Sequence, residues 1–300
     1  MDLRKTHSQN FWFDLFLLAV AFFGAAVAWL AFRAGGAWFI LGVSALVGEA
    51  LLVWGSFFAI HRVTVIQYRE KLRPDAKVWL KVAFLSDFHT GSFHGRGCYE
   101  RIAGEVKALH PHLILLGGDY VVDRAEPVAD LESLKDLEAP LGKFFVLGNH
   151  DFLDRPQAIR EALMGWGYAD LTNRATKISV QGQELELCGV DDNWFGKPVK
   201  PKRSSADIPH LTLAHEPDLL LDLKEKDTDL VLAGHTHSGQ VRLPFVGPLI
   251  PIPAILGRAV DRGRKAVNGV PAIISNGLGE SDGRLRLFSP PQIVIVEVGI

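Results

Sequence analysis

The chain has 300 residues, of which 48% are hydrophobic and 22% charged, and its formal net charge is −2 at pH 7. This balance provides no broad basic surface, so nucleic acid is not an expected partner. Its two cysteines are too few to indicate a disulfide scaffold, and neither belongs to a metal-binding cysteine motif.

Two apolar segments occupy the N-terminal part of the chain. Residues 11–32 and 37–60 are nearly all apolar, and each is long enough to cross a bilayer as a helix, which takes about 20 residues. Tryptophans lie towards the ends of both segments, as in the aromatic belts of membrane helices. We therefore expect a transmembrane hairpin over residues 1–61, followed by a globular domain over residues 62–300. A cleaved signal peptide is the alternative, but a second apolar run follows the long first one at once.

Basic residues indicate how the hairpin is oriented. Arg4 and Lys5 precede the first segment, Arg33 alone lies in the turn, and several lysines and arginines follow residue 60. By the positive-inside rule, both ends of the hairpin then lie in the cytoplasm. Glu49 lies within the second segment, where an unpaired charge costs at least about 2.5 kcal/mol, so we expect it to face the other helix or another protomer.

The globular part shows alternating strand and helix patterns. Strands are predicted, in chain order, over residues 62–68, 82–85, 113–116, 144–147, 176–180, 184–190, 211–214, 230–233 and 292–298. Helices are predicted over residues 99–109, 131–137 and 158–166. The segment 243–256 is apolar and rich in proline, so it is no regular helix. It either packs as a loop or contacts lipid, and in the second case we expect Phe245, Leu249 and Ile252 to make the contact.

Five of these apolar runs end in residues that carry oxygen or nitrogen donors. They are followed by Asp87 and His89, by Asp119, by Asn149, His150 and Asp151, by His215, and by His235 and His237. Taken singly, each donor is more simply explained as a turn, cap or hydrogen-bonded polar residue. Ligand sites in α/β proteins, however, lie at the carboxyl edge of the strands, where these residues would meet. Without cysteine among the donors, the set suits hard or borderline divalent metal ions.

The motifs D-x-H, G-D, G-N-H-D, H and G-H-x-H, in this order, resemble those of the calcineurin-like metallophosphoesterases over about residues 80–298. The segment 274–279 and the following Pro290-Pro291 resemble the membrane-associated bacterial branch of that family. This branch includes enzymes that hydrolyse UDP-2,3-diacylglucosamine in lipid A synthesis. The resemblance implies an α/β fold of two facing β-sheets flanked by helices, here preceded by the two-helix transmembrane hairpin.

The resemblance also implies a binuclear metal site. It assigns seven ligands, in two sets joined by a bridging carboxylate: Asp87, His89 and His237 for one ion, Asn149, His215 and His235 for the other, and Asp119 between them. The implied cofactors are two divalent ions, for which Mn, Fe and Zn all fit and Mn is favoured. Two such ions can clamp and polarise a phosphoryl group and activate water.

Two further residues receive catalytic roles from the resemblance. His150 would stabilise the transition state or protonate the leaving oxygen. Asp151 would either orient His150 by accepting its other ring N–H or cap a helix.

The expected function is that of a phosphohydrolase anchored in the lipid bilayer. It would cleave a phosphodiester or pyrophosphate bond in a lipid-linked substrate such as UDP-2,3-diacylglucosamine. We expect a multi-pass protein of the bacterial inner membrane with a cytoplasmic catalytic domain. A general phosphodiesterase is one alternative, and a non-catalytic membrane receptor or scaffold for phosphate ligands is another, although the intact ligand set argues against the latter. Nothing in the sequence indicates an oligomeric state.

Overall fold

The computed structural model describes residues 3–281 and 283–300. Two helices, α1 (Leu3–Ala34) and α2 (Trp38–Phe57), form an N-terminal hairpin. By length and composition, Phe11–Ala34 and Trp38–His61 are suited to crossing a membrane, with mean hydropathies of 2.5 and 1.8. The predicted pair of apolar helices is therefore confirmed. The side chains of Arg4 and Lys5, on which part of the predicted orientation rests, lie outside the described residues.

The hairpin packs closely within itself and against the globular part. A Cβ placed on Gly24 of α1 would collide with the carboxyl group of Glu49, so Glu49 faces the first helix, as its burial cost predicts. At the base of the hairpin, Asp14 forms an ion pair with Arg284. The carbonyl of Gly55 also accepts a hydrogen bond of 3.1 Å from the N–H of Arg286. The hairpin thus contacts the globular part through Arg284 and Arg286, which lie near the C-terminus of the chain.

Beyond the helical hairpin, the described residues form two six-stranded sheets and one small β-hairpin. In chain order, the strands are β1 (Thr64–Lys71), β2 (Trp79–Leu85), β3 (Leu113–Gly117), β4 (Lys143–Val146), β5 (Ala169–Asp170), β6 (Ala175–Val180), β7 (Gln183–Gly189), β8 (His210–Leu213), β9 (Leu230–Ala233), β10 (Arg242–Leu243), β11 (Gly247–Pro248), β12 (Gly263–Val267), β13 (Val270–Ile274) and β14 (Gln292–Gly299). One large sheet has the order β1-β14-β2-β3-β4-β5, the other has the order β12-β13-β9-β8-β7-β6, and β10 pairs with β11.

The two large sheets enclose a shared apolar core. Side chains such as Val82 and Leu115 from the first sheet pack with Leu187, Leu211 and Leu232 from the second. Helices α3 (Arg96–Ala108) and α4 (Pro156–Gly165) cover the other face of the first sheet. The expected α/β fold of two sheets flanked by helices is therefore confirmed. Five strands were not predicted: the two-residue strands β5, β10 and β11, and the longer strands β12 and β13.

The helix predicted over residues 131–137 has a different form. The structure has a 3-10 helix over Glu126–Asp136 instead. Val128, Leu131 and Leu134 are its buried residues, and their spacing of three matches the three residues per turn of a 3-10 helix. The predicted helix is therefore present, but it begins at Glu126 and has the 3-10 form.

The topology brings the predicted ligand segments to one edge of the sandwich. Strands β2, β3 and β4 are parallel neighbours in the first sheet, and β8 and β9 are parallel neighbours in the second. Because all five strands end towards this edge, the loops that follow them meet between the two sheets.

Candidate metal centre

Three of the predicted ligands meet at one side of the centre. The Nε2 atoms of His89 and His237 lie 3.0 Å apart, and Nε2 of His237 is 3.5 Å from Oδ1 of Asp87. Oδ2 of Asp119 is 3.4 Å from Nε2 of His89. All four residues are buried, so these two imidazoles and two carboxylates form a donor group that is shielded from solvent.

A second group shares the same oxygen of Asp119. Oδ2 of Asp119 is 3.1 Å from Nε2 of His215. Oδ1 of Asn149 lies 3.1 Å from that nitrogen and 3.0 Å from Nδ1 of His235. Asp119 therefore lies between two sets of donors, in the position that the sequence comparison with the family implied for a bridging ligand.

The donor atoms fit two divalent cations. Ligands about 2.1 Å from a metal and at right angles to each other are about 3.0 Å apart, close to the separations seen here. Oδ2 of Asp87 is buried without a hydrogen-bond partner in the described part of the chain. Such an orphaned carboxylate oxygen is costly unless a cation binds it. Nitrogen and oxygen donors without thiolate suit manganese, iron or zinc.

Burial keeps most of the histidines in the form that binds metals. It lowers the pKa of His89 to about 3 and that of His235 to about 4, so both rings are neutral near pH 7 and have a lone pair to offer. His215 differs, since burial would lower its pKa but the carboxylate of Asp119 raises it. A metal ion has to displace a proton from His215 in order to bind there.

Backbone carbonyls orient three of the histidines. Nδ1–H of His215 donates to the carbonyl of Gly117 at 2.7 Å, and Nε2–H of His235 donates to that of Pro253 at 2.6 Å. The Nδ1 atom of His237 lies 3.2 Å from the carbonyl of Gly279. Each contact fixes the tautomer that leaves the opposite nitrogen free, which is how metal-binding histidines are usually held.

The backbone of the ligand loops is strained. Positive φ angles occur at five of the seven predicted ligands: Asp87, His89, Asp119, His235 and His237. A left-handed conformation costs a non-glycine residue roughly 1–2 kcal/mol. Clustering of such angles is typical of functional sites, where surrounding structure imposes the strain.

Two glycines allow the ligand loops to approach each other. A Cβ on Gly148 would overlap the carboxylate of Asp119 and the ring of His215. A Cβ on Gly234 would overlap the carboxylate of Asp87. The side-chain hydrogen at both positions is thus required by the packing of the donors themselves.

His150 lies beside the donors, whereas Asp151 has a different role from the one expected. The ring of His150 contacts that of His89 with 4.7 Å between centroids, and its Nδ1–H donates to the carbonyl of Val122 at 2.6 Å. The carboxylate of Asp151 accepts backbone N–H groups from Asp119, Tyr120 and Gly148 at 2.8–2.9 Å. The hypothesis that Asp151 orients the His150 ring was therefore wrong, because the carbonyl of Val122 already binds that ring nitrogen. The helix-cap alternative is nearer, since the carboxylate of Asp151 accepts the N–H of Gly148, the residue that precedes the 3-10 helix Asn149–Phe152.

Sequence analysis did not identify two residues that contact the centre. Trp194 is half-exposed and its ring lies 4.7 Å from that of His235, at an edge-to-face angle. Arg286 is fully buried, donates to the carbonyl of Gly279 and has its Nη2 atom 3.4 Å from Nδ1 of His237. Trp194 follows the end of β7, so the strand-end signal used for the ligands could have indicated it. No local signal distinguishes Arg286 from a surface arginine.

Comparisons with known proteins agree with this geometry. A family model described as calcineurin-like phosphoesterase matches residues 80–239. The chain is 32% identical over 241 residues to the phosphodiesterase YaeI of Escherichia coli (strain K12), covering 78% of this chain and 87% of the relative. It is 27% identical over 266 residues to the uncharacterized metallophosphoesterase YkuE of Bacillus subtilis (strain 168), covering 85% of this chain and 92% of the relative.

Proposed function

This chain belongs to the calcineurin-like phosphoesterase family of metal-dependent hydrolases, and we propose that its substrate is a lipid-linked phosphodiester or pyrophosphate such as UDP-2,3-diacylglucosamine. The convergence of two donor sets on Oδ2 of Asp119 is the observation that supports metal-dependent hydrolysis. The apolar segment beside that centre and the hairpin of α1 and α2 support a lipid-linked substrate.

Asp119 and His150 have different roles in the proposed hydrolysis. Two divalent ions, when bound, supply Lewis acidity and an activated water. Asp119 holds the two donor sets together, and the N–H of His150 donates to its other oxygen at 2.9 Å. Because Nδ1–H of His150 donates to the carbonyl of Val122, Nε2 is the nitrogen left to face the substrate. With the ring doubly protonated, the Nε2 proton would contact a phosphoryl oxygen or pass to the leaving group, which leaves the neutral imidazole.

The apolar segment 243–256 supports a lipid-linked substrate. Its small hairpin presents Phe245 fully exposed, and Leu249 and Ile255 are exposed as well. The carbonyl of Pro253 in the same segment accepts a hydrogen bond from the ring of His235, so the segment adjoins the metal centre. Exposed apolar groups of this extent are typical of surfaces that bind apolar partners. Ile252, which was expected to contact lipid, is instead buried, because it packs beneath the segment near Gly239.

We further propose that the hairpin anchors the enzyme in the bacterial inner membrane, with residues 62–300 as a cytoplasmic catalytic domain. Arg62 and Arg69 follow the second apolar helix and are exposed. Such basic residues are each attracted to an anionic leaflet by about 1 kcal/mol. A cysteine introduced at Ala34, in a Cys98→Ser and Cys188→Ser background, should react with a membrane-impermeant thiol reagent added outside intact cells. Labelling only after the cells are opened would contradict the orientation.

The substrate proposal is tested by incubating the detergent-purified, Mn²⁺-loaded enzyme with UDP-2,3-diacylglucosamine and measuring UMP. We expect UMP release, and we expect Asn149→Ala to abolish it together with hydrolysis of a generic aryl phosphodiester. Replacing Phe245 and Leu249 by serine should reduce turnover of the lipid but leave aryl phosphodiester hydrolysis unchanged. Hydrolysis of the aryl ester without any UMP release would reject this lipid and leave a general phosphodiesterase. Equal effects of the serine variant on both substrates would reject the role of the apolar segment.

A further inference from the structure

A second group of metal-binding side chains lies away from the binuclear centre. One potential ligand atom each from His61, His94 and Cys98 lies within 4.8 Å of the other two. His61 ends the short 3-10 helix Ala59–His61 after α2, and Cys98 is in the first turn of α3. The group therefore spans the junction between the hairpin and the globular part, and it shares no residue with the seven ligands described above.

His94 is the central member of this group and is held in an unusual way. It is buried, with 6% of its surface exposed, and its Nε2 lies 2.8 Å from Oε2 of Glu280. Nδ1 of His94 is buried without a hydrogen-bond partner among the residues that the structure describes. A carboxylate on one ring nitrogen and a free opposite nitrogen is the arrangement found behind many metal-binding histidines.

Glu280 is itself fixed by a second buried charge. Its Oε1 accepts a hydrogen bond of 2.9 Å from Nε of Arg286, and both side chains are inaccessible to solvent. Burying a carboxylate costs desolvation energy, which its contacts with the histidine and the arginine have to offset. The pair accordingly holds the His94 ring in one orientation.

We propose that His61, His94 and Cys98 form a third metal site that binds Zn²⁺. Two imidazoles and one thiolate are a typical zinc donor set, and a water completes four-coordination. In a tetrahedral zinc site such donors are about 3.4–3.6 Å apart, so the present spacing closes with small side-chain rotations. The thiolate makes this site softer than the binuclear centre, which has none.

Binding of zinc requires that protons leave the site. Burial would raise the pKa of Cys98, but the neighbouring His94 and Arg101 lower it. Burial would lower the pKa of His94, but the ion pair with Glu280 raises it to about 10. Zinc thus displaces the Cys98 thiol proton and the Nδ1 proton of His94, whereas the Nε2 proton stays with Glu280. The bound ion would tie the end of α2 to the catalytic domain.

Cobalt substitution tests the site directly, because only a thiolate ligand produces a sulfur-to-cobalt charge-transfer band in the near ultraviolet. The full-length, detergent-purified protein is titrated with Co²⁺ after the binuclear centre has been filled with Mn²⁺. We expect the band in the wild type and in Cys188→Ser, whose thiol is buried elsewhere. The band should be absent in Cys98→Ser. In His61→Ala, the Co²⁺ affinity measured from the band should be at least tenfold lower.

Thiol reactivity provides a second readout that does not depend on cobalt. Zn²⁺ added to the folded wild type should slow modification of Cys98 by at least tenfold, and His61→Ala should abolish this protection. Aryl phosphodiesterase activity of each variant shows that it is folded. Absence of the band in the wild type, its persistence in Cys98→Ser, or a reaction rate unaffected by Zn²⁺ would each overturn the third site while leaving the phosphoesterase function untouched.

Discussion

Substitution of Gly148 by alanine tests how tightly the metal donors are packed. The backbone at Gly148 has φ −111° and ψ 176°, an extended conformation that alanine adopts freely. A Cβ there would nevertheless lie 2.7 Å from both the backbone nitrogen of Asp119 and Cε1 of His215. Ordinary contacts begin at 3.4 Å, so these neighbours must move by about 0.7 Å. The substitution is therefore expected to act by steric overlap, which displaces the bridging ligand Asp119 and His215, a ligand of the second ion.

The magnitude follows from the precision that catalysis requires. A misplacement of about 1 Å costs on the order of 100-fold in rate, and overpacking costs about 1–3 kcal/mol of stability. We expect Gly148→Ala to remain folded and to lose about 100-fold in kcat/KM for an aryl phosphodiester with Mn²⁺. Gly104 is the matched control, since it lies within α3 and a Cβ there meets open space. Gly104→Ala should keep full activity and gain about 0.5–1 kcal/mol of stability. Wild-type activity of Gly148→Ala with a full metal complement would refute the packing argument.

Two other predictions concern residues around the centre, and a third concerns the ion pair of His94 and Glu280. His150→Gln should lower kcat by about 10²–10⁴-fold with metal content unchanged, and unchanged kcat would remove His150 from the chemistry. Asp151→Asn should lower the melting temperature, because its amide group cannot accept all three backbone N–H bonds; an unaltered melting temperature would contradict this. Since Glu280 outweighs burial and raises the pKa of His94 to about 10, the stability gained from that pair is complete below about pH 6.5 and lost as the pH rises through 10. In zinc-free buffer, the difference in melting temperature between wild type and His94→Gln should therefore shrink from pH 7 to 10, and a constant difference would count against the pair.

The donors of the metal centre were predictable because their signal is local. His235 and His237 follow the buried strand β9 directly, and Asp119 follows β3 in the same way. A strand end places such residues at the sheet edge whatever the rest of the chain does. The hairpin was predictable for a similar reason, since length and hydropathy are properties of one continuous segment.

The features that were missed depend on contacts distant in sequence. Arg286 reaches the centre only because its segment packs between α2 and the loop after β9. Asp151 was assigned to the neighbouring ring of His150, yet its three donors include Asp119 and Tyr120 from another strand end. Ile252 was grouped with exposed apolar neighbours because composition alone does not show which side of an irregular segment faces inward.

In the proposed catalytic centre, seven side chains hold two metal ions that Asp119 bridges. Electron paramagnetic resonance of the Mn²⁺-loaded protein measures this directly, because two ions about 3.5–4 Å apart that share a carboxylate oxygen are magnetically coupled. We expect a coupled pair of Mn²⁺ ions in the wild type and an uncoupled signal in Asp119→Ala. A folded wild-type protein that binds a single Mn²⁺, or two without coupling, would contradict the account.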